Sequence, residues 1–264
     1  MPTRQTAPRG APCYVELFTL DVEGSRRFYP DLFGWIAAEP SPEHHGYSMF
    51  VHGDAPIAGC MGATPDTPAT NSWYVYLQTD DVEKTAELAE ANGGKVIVGP
   101  MTIDKVGKML MIASPTGEMV GAWQADPFPG TTTYAEPGAP AWFELHSTDH
   151  DRSVAFYRDV FGWETEPMSA TPEFTYTTMK DPTGGPDPLA GVMASGASGS
   201  ESGSACWARW LIYWTVADID ATAKKVESLG GKVLEPPVDT PYGRMAAVTD
   251  PAGAKFKLHG ENSK

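Results

Sequence analysis

Residues Ala141 to Trp163, AWFELHSTDHDRSVAFYRDVFGW, restate Cys13 to Trp35, CYVELFTLDVEGSRRFYPDLFGW, at an offset of 128. The offset superposes Glu16 on Glu144, Asp21 on Asp149, Ser25 on Ser153, Phe28-Tyr29 on Phe156-Tyr157, and Phe33-Gly34-Trp35 on Phe161-Gly162-Trp163. A repeat this long is a statement about architecture, and it splits the 264 residues into two similar halves. Each copy begins with period-two alternation, turns at an Asp, and continues with apolar residues at helical spacing until Gly-Trp.

Along the chain the elements come in a fixed order. Strand Tyr14 to Leu20 and helix Val22 to Phe33 are followed by strands Trp35 to Ala38, Tyr47 to His52 and Ile57 to Ala63, a βαβββ unit. Pro30 lies inside the helical stretch, where proline costs about 3 kcal/mol, so a kink or a late start is expected. After the connector Thr64 to Asn71 the same order returns: strand Trp73 to Thr79, helix Val82 to Ala91 ended by Gly93-Gly94, and strands Lys95 to Val98, Lys108 to Ala113 and Glu118 to Trp123. The second half replays both units, with helices Arg152 to Phe161 and Ile219 to Leu229 and a low-complexity connector, Gly196 to Ser204. The expected organisation is a flexible tail over 1–11, a first domain over 12–125, a linker over 126–139 and a second domain over 140–260.

Composition narrows the partners. With 19 Lys and Arg against 34 Asp and Glu, the formal charge is −15, which repels phosphate backbones and anionic lipid. Neither nucleic acid nor a membrane is expected as a partner; no apolar run approaches the ~20 residues of a membrane span, and Met1 to Pro12 does not read as a signal peptide. Three cysteines without CxxC spacing offer neither a disulfide framework nor a zinc cluster and fit a reducing cytoplasm. A monomer or homodimer is expected.

The spacing Asp-x6-Phe-Tyr-x3-Phe-Gly-Trp, found at Asp21 to Trp35 and Asp149 to Trp163, the helix-Gly-Gly stops, and the turns Ser114 to Gly117 and Asp250 to Gly253 (Asp/Ser-Pro-x-Gly) resemble the vicinal-oxygen-chelate superfamily. That group includes glyoxalase I, bleomycin-resistance proteins and extradiol dioxygenases. The resemblance covers Cys13 to about His259 and is closest to tandem, two-domain actinobacterial members. It implies an α+β fold in which four βαβββ units form two partly open eight-stranded barrels, each with a concave face for metal and substrate. Whether unit one pairs with unit two or with unit four stays open.

In metal-dependent members each unit supplies a donor at a set place: a His or Gln seven residues before the strand-ending Asp, and a Glu four residues after the Gly of the Pro-x-Gly turn. The residues at these places are Tyr14 and Trp142 in the first strands, Tyr74 and Leu211 in their second-unit counterparts, and Gly121 and Lys257 in the last strands. A first-row divalent ion wants three or four N, O or S donors within ~2.3 Å. No metal and no cofactor is therefore expected. Glu144, His146 and His259 stand as a displaced alternative site or an acid/base set, on strand faces shared by period two.

What fills the metal's place is aromatic and soft. Tyr14, Glu16, Phe18, Tyr74, Tyr76 and Trp123 in the first half, and Trp142, Glu144, His146, Tyr213, Tyr242, Met245, Lys257 and His259 in the second, are the candidate ligand-binding residues, with Glu144 and His146 as candidate catalytic groups. Trp207 and Trp210 add to the aromatic surface, with Trp73 open as the alternative to Tyr74 and Trp214 as the alternative to Tyr213, whereas Trp35 and Trp163 are expected in the core. The expected function is metal-independent binding of a hydrophobic, aromatic small molecule, in drug sequestration or as an accessory of an antibiotic pathway. The alternatives are an isomerase-, hydroxylase- or lyase-type enzyme using Glu, His or Tyr as acid and base, or a metal-dependent member with a displaced site.

Overall fold

The computed structural model describes residues 5–62, 70–103, 105–171, 174–195 and 208–263. Trp207 and most of the two expected connectors lie outside the described residues. The first half runs β1 (Pro12–Thr19), α1 (Val22–Phe33), β2 (Ile36–Ala37), β3 (Ser48–His52), β4 (Ala55–Gly62), β5 (Ser72–Gln78), α2 (Val82–Ala91), β6 (Lys95–Ile103), β7 (Gly107–Ala113) and β8 (Met119–Ala125). The second runs β9 (Pro140–Ser147), α3 (His150–Phe161), β10 (Thr165–Ala170), β11 (Thr175–Met179), β12 (Ala190–Ala194), β13 (Arg209–Thr215), α4 (Ile219–Ser228), β14 (Lys232–Thr240), β15 (Gly243–Thr249) and β16 (Lys255–Gly260).

The four α-helices among the described residues start in the same way. Asp21, Asp81, Asp149 and Asp218 each accept a hydrogen bond from the backbone N–H three residues on, a cap worth about 1 kcal/mol. Helices α1 and α3 end at Gly34 and Gly162, whose φ values of 76° and 75° place them in the left-handed region that glycine enters without strain. Helix α1 begins at Val22 and runs through Pro30, so the late start expected from the proline is not seen.

Each half forms one mixed eight-stranded sheet, ordered β2-β3-β4-β1-β5-β8-β7-β6 and β10-β11-β12-β9-β13-β16-β15-β14. The pairing left open by the sequence is thereby decided: unit one shares a sheet with unit two, through antiparallel β1 and β5, and unit three with unit four, through β9 and β13. The sheets are not closed into barrels. Edge strands β6 and β14 are longer than the sequence indicates, because register shifts carry them past Pro100 and past Pro236-Pro237. Proline is tolerated there because an edge strand has no partner for the missing N–H.

The helix-bearing faces of the two sheets pack on each other. Trp35 lies 4.9 Å and Trp73 5.6 Å from Trp214 between ring centres, and Tyr29 lies 5.8 Å from Phe256. The repeat motif supplies this contact twice. Trp35 Nε1 donates to Gly138 O and Trp163 Nε1 to Gly10 O, each at 2.8 Å. The Tyr29 hydroxyl donates to Asp250 (3.1 Å) and the Tyr157 hydroxyl to Glu118 (2.9 Å), while Trp73 and Trp210 donate to those same tyrosines. Trp35 and Trp163 are buried, as expected, but what they bury is the junction of the halves. Trp210 lies on this face as well, a correction to its place in the expected ligand surface, and so do Trp73 and Trp214, which decides the two open choices for Tyr74 and Tyr213. The end of the expected flexible tail is packed too: Ala11 is buried and Gly10 N donates to Gln78 O. No helix among the described residues is long and apolar enough to cross a membrane.

Candidate functional site

With one face of each sheet committed to the junction, the helix-free face is left for chemistry. In the first half, register places Tyr14 beside Tyr76 and Tyr76 beside Gly121, and Glu16 beside Tyr74. In the second, Trp142 lies beside Tyr213 and Tyr213 beside Lys257, with Glu144 beside Leu211. The row mates of the first-strand positions are thus Tyr76 and Tyr213, two residues on from Tyr74 and Leu211, because the antiparallel register decides who faces whom.

Neither row fits a chelated divalent ion. Tyr14, Tyr76 and Gly121 offer two phenols, and the Tyr76 ring covers Gly121 so closely that even a Cβ there would clash with it. Trp142, Tyr213 and Lys257 offer an indole, a phenol and an ammonium. Among the described residues, no three His, Cys, Asp or Glu side chains are grouped to hold a metal. The displaced set Glu144, His146 and His259 is not assembled either. His146 pairs with Arg209 and His259 with Thr215, six residues apart on β13, which at ~3.3 Å per residue is about 20 Å. His259 instead bonds to Tyr242 O at 2.9 Å.

Glu144 and His146 do come together. His146 Nε2 donates to Glu144 Oε1 at 2.8 Å, and both side chains are buried. The Tyr213 hydroxyl donates to the same oxygen at 2.6 Å and the Tyr176 hydroxyl to Oε2 at 2.8 Å. Burial alone would raise the carboxyl's pKa, but His146, Tyr213 and the Lys257 charge together hold it below its ordinary value. Trp142 contributes at one remove. An indole N–H is a donor only, so Trp142 Nε1 occupies the Tyr176 oxygen at 2.9 Å and leaves that hydroxyl's proton for Glu144.

Glu16, at the same place in the repeat, is treated differently. The Tyr76 hydroxyl donates to Oε2 at 2.6 Å, and this is its one hydrogen bond among the described residues. Tyr47, the counterpart of Tyr176, is 2.6 Å from the Tyr14 hydroxyl, and Tyr14 in turn donates to Met49 Sδ at 3.0 Å. Phe18 stands where the second half has His146 and packs on Tyr74 at 5.0 Å. Burial, opposed only by Tyr76, pushes the Glu16 carboxyl up to about 7. Trp123 and Met111 join Tyr14 and Tyr76 in a compact apolar cluster, so the helix-free face of the first half packs on itself.

The second half leaves more of its face open. Trp142 and Met245 are half-buried, Phe174 stacks on Tyr176 at 5.5 Å with 41% exposure, and Tyr242 is 68% exposed. Burial first, then Glu144, raise the pKa of Tyr176. Lys257 Nζ lies 5.3 Å above the centre of the Tyr213 ring and 3.9 Å from Glu235. Phe174 and Tyr176 are the site-face residues that sequence reasoning missed. The replayed βαβββ order implies a strand here, but no alternation told which face would meet Glu144. A separate cleft of about 680 Å³ opens between the halves, walled by Trp73, Tyr74, Glu118, Arg209, Trp210 and Lys255; it belongs to the junction and contains neither Glu16 nor Glu144.

Two stretches of the chain, 13–121 and 140–258, match the family model of the Glyoxalase/Bleomycin resistance protein/Dioxygenase superfamily, and the protein belongs to that superfamily. It is 33% identical over 263 residues to the putative glyoxylase CFP32 of Mycobacterium bovis, covering 98% of this chain and 97% of the relative. It is 32% identical to the anthracycline biosynthesis protein DauV of Streptomyces sp. (strain C5), over 94% and 92% of the two chains. Among solved structures, the Mn(II)-bound glyoxalase from Novosphingobium aromaticivorans superposes with a TM-score of 0.67 at 17% identity, over 97% of this chain and 83% of that one. The 2,3-dioxygenase LapB of Pseudomonas sp. KL28 gives 0.66 at 12% identity, over 98% and 94%. At these identities the structural likeness concerns the fold.

Proposed function

We propose that the protein binds a planar, partly apolar small molecule on the helix-free face of its second half, without a resident metal. The observation that carries this reading is the arrangement of Trp142, Phe174, Tyr176 and Tyr242 around a polar floor of Glu144, His146 and Lys257. Aromatic walls contribute ~0.5–1.5 kcal/mol per ring pair beyond area burial, and a polar floor orients the ligand. In this half Lys257 stands where metal-dependent relatives are expected to carry a carboxylate, so an ammonium meets whatever oxygen the ligand presents. The anthracycline biosynthesis relative DauV supports an aromatic ligand, since anthracyclines are fused-ring compounds. On this reading the protein sequesters such a compound or serves the pathway that makes it.

The test is titration with an anthracycline aglycone, followed by tryptophan quenching and thermal shift, in the wild type and in Trp142→Ala. Saturable binding weakened about tenfold in the variant is expected. Absence of both signals for the aglycone and for a panel of smaller aromatics overturns the reading.

A second reading rests on the 2.8 Å contact between His146 and Glu144, an acid/base pair inside the same face. Such a pair contributes ~10²–10⁴-fold when a substrate proton is within reach. Glu144→Gln that still binds the aromatic but loses turnover would favour an enzyme. Unchanged turnover would remove Glu144 from any catalytic role.

A further inference from the structure

The two helix-free faces differ in the course the chain takes beyond their last strand. After β16 the chain turns back to the β14–β15 end, where Asn262 Nδ2 donates to Thr240 O at 2.9 Å and Ser263 N to Asp239 Oδ1 at 3.2 Å. After β8 it returns to its own sheet. Asp126 N and Phe128 N both donate to Val106 O, at 3.2 and 3.0 Å, Trp123 Nε1 donates to Phe128 O at 2.7 Å, and Thr131 N donates to Cys13 O at 2.7 Å. Thr131 Oγ1 adds a bond to Ile57 O at 2.9 Å, and Gly130, at φ 90°, lies so close to Cys13 O that a Cβ there would clash with it. The segment 126–131 is therefore tied to β1, β4, β8 and the turn before β7.

Between those ties the Phe128 ring meets Tyr14 edge-on at 5.3 Å and Trp123 edge-on at 5.9 Å. It packs on the cluster of Cys13, Tyr14, Tyr76, Met111 and Trp123, which is separate from the core between the halves. This is the geometry in which a free aromatic ring would be held. The residue that Trp123 matches in the second half, His259, bonds to Tyr242 O, and among the described residues no phenyl ring is delivered there.

We infer that Phe128 is a tethered occupant of an aromatic-binding site on the first half, so that the segment joining the halves keeps that site closed to a monocyclic or bicyclic aromatic ligand. The inference rests on the proposed function only in assigning the open site to the second half. A tethered ring holds its place against a free one because it loses no translational freedom on docking. Phe128 is half-buried, so removing it opens an apolar recess at the surface, walled by Tyr14, Tyr76 and Trp123.

The experiment uses the full chain and 5-fluoroindole, with sites counted by ¹⁹F NMR titration in the wild type, Phe128→Ala, Trp142→Ala and the double variant. One site is expected in the wild type, two in Phe128→Ala, one weakened about tenfold in Trp142→Ala, and in the double variant that weakened site together with the new one, which appears at millimolar affinity or better. If the wild type and Phe128→Ala both show one site, the inference is overturned and the proposed function stands. If the wild type shows none and Phe128→Ala one, the inference holds and the proposed function fails. Two sites in the wild type overturn the inference. Should Phe128→Ala fail to fold, Phe128→Val is titrated with fluorobenzene, which the smaller recess admits. A gain of one site over the wild type supports the inference, and no gain overturns it.

Discussion

Glu16 and Glu144 occupy the same position of the same repeat, both are buried, and their carboxyls are driven in opposite directions. Desolvation is the largest influence on each, so the difference lies in the donors. Glu144 accepts three hydrogen bonds and feels the Lys257 charge, whereas Glu16 accepts one. Three substitutions between the copies produce this. Phe18 removes the imidazole, Gly121 removes the ammonium, and Tyr14 in place of Trp142 draws the proton of Tyr47 to itself. A buried carboxylate is thus not a site by position; its neighbours decide whether it is held as an anion or pressed towards the neutral acid.

The comparison breaks most readily at Glu144. Glu144→Gln replaces an acceptor of three donors by an amide that must turn its own N–H2 on one of them, and a loss of about 2–4 kcal/mol in unfolding free energy at pH 7 is expected. Because the folded pKa of Glu144 lies below 4.5, its contribution is present above pH 4.5 and is lost as the pH falls through the folded value. The gap between wild type and variant in denaturant titrations should therefore close on acidification. A gap that stays constant would show that the carboxylate's charge is irrelevant.

Glu16→Gln should act in the other direction and with a different pH window. The folded state favours the protonated acid up to about 7 against an ordinary value of 4.5, so the wild type loses stability as the pH rises from 4.5 to 7, by up to about 1.4 kcal/mol per unit, and then levels off. The variant, which mimics the neutral acid, should be more stable than the wild type by about 1–2 kcal/mol at pH 8 and no more stable at pH 4. Thermal unfolding at the two pH values is the measurement, and equal midpoints at pH 8 would refute the raised carboxyl.

Introducing the missing donor sharpens the contrast further. Phe18→His places an imidazole where the second half has His146, two residues from Glu16 on the same face, and NMR titration of the Glu16 side chain should show its pKa fall by about one unit. The smallest effect belongs to the rim. Tyr242→Ala, at 68% exposure, should change unfolding free energy by no more than about 0.5 kcal/mol while weakening aromatic binding a few-fold. A large loss of stability there would mean that Tyr242 is structural and not part of an open mouth.

Much of the fold was legible because it is local. The Asp caps, the Gly stops and the alternation of β1 and β9 are set by neighbouring residues, and the 128-residue offset declared the duplication before any contact was known. The inward carboxylates were legible too, since period two puts Glu16 with Tyr14 and Glu144 with Trp142 on one face. Trp210 was misplaced, and the choices between Trp73 and Tyr74 and between Tyr213 and Trp214 stayed open, for the same reason. Alternation separates two faces of a strand, but it does not say which face a second sheet will cover.

What the sequence by itself determined is therefore the repeated unit, its family, and the absence of the expected donor types from the family's chelating positions. The tertiary structure alone decided that unit one pairs with unit two, that Tyr76 and Tyr213 complete the two rows, that Tyr176 reaches Glu144, and that Phe128 returns to the first sheet. The physical reason is range. Caps and alternation are decided within a few residues, whereas register and donor placement depend on which strands, distant in sequence, come to lie side by side.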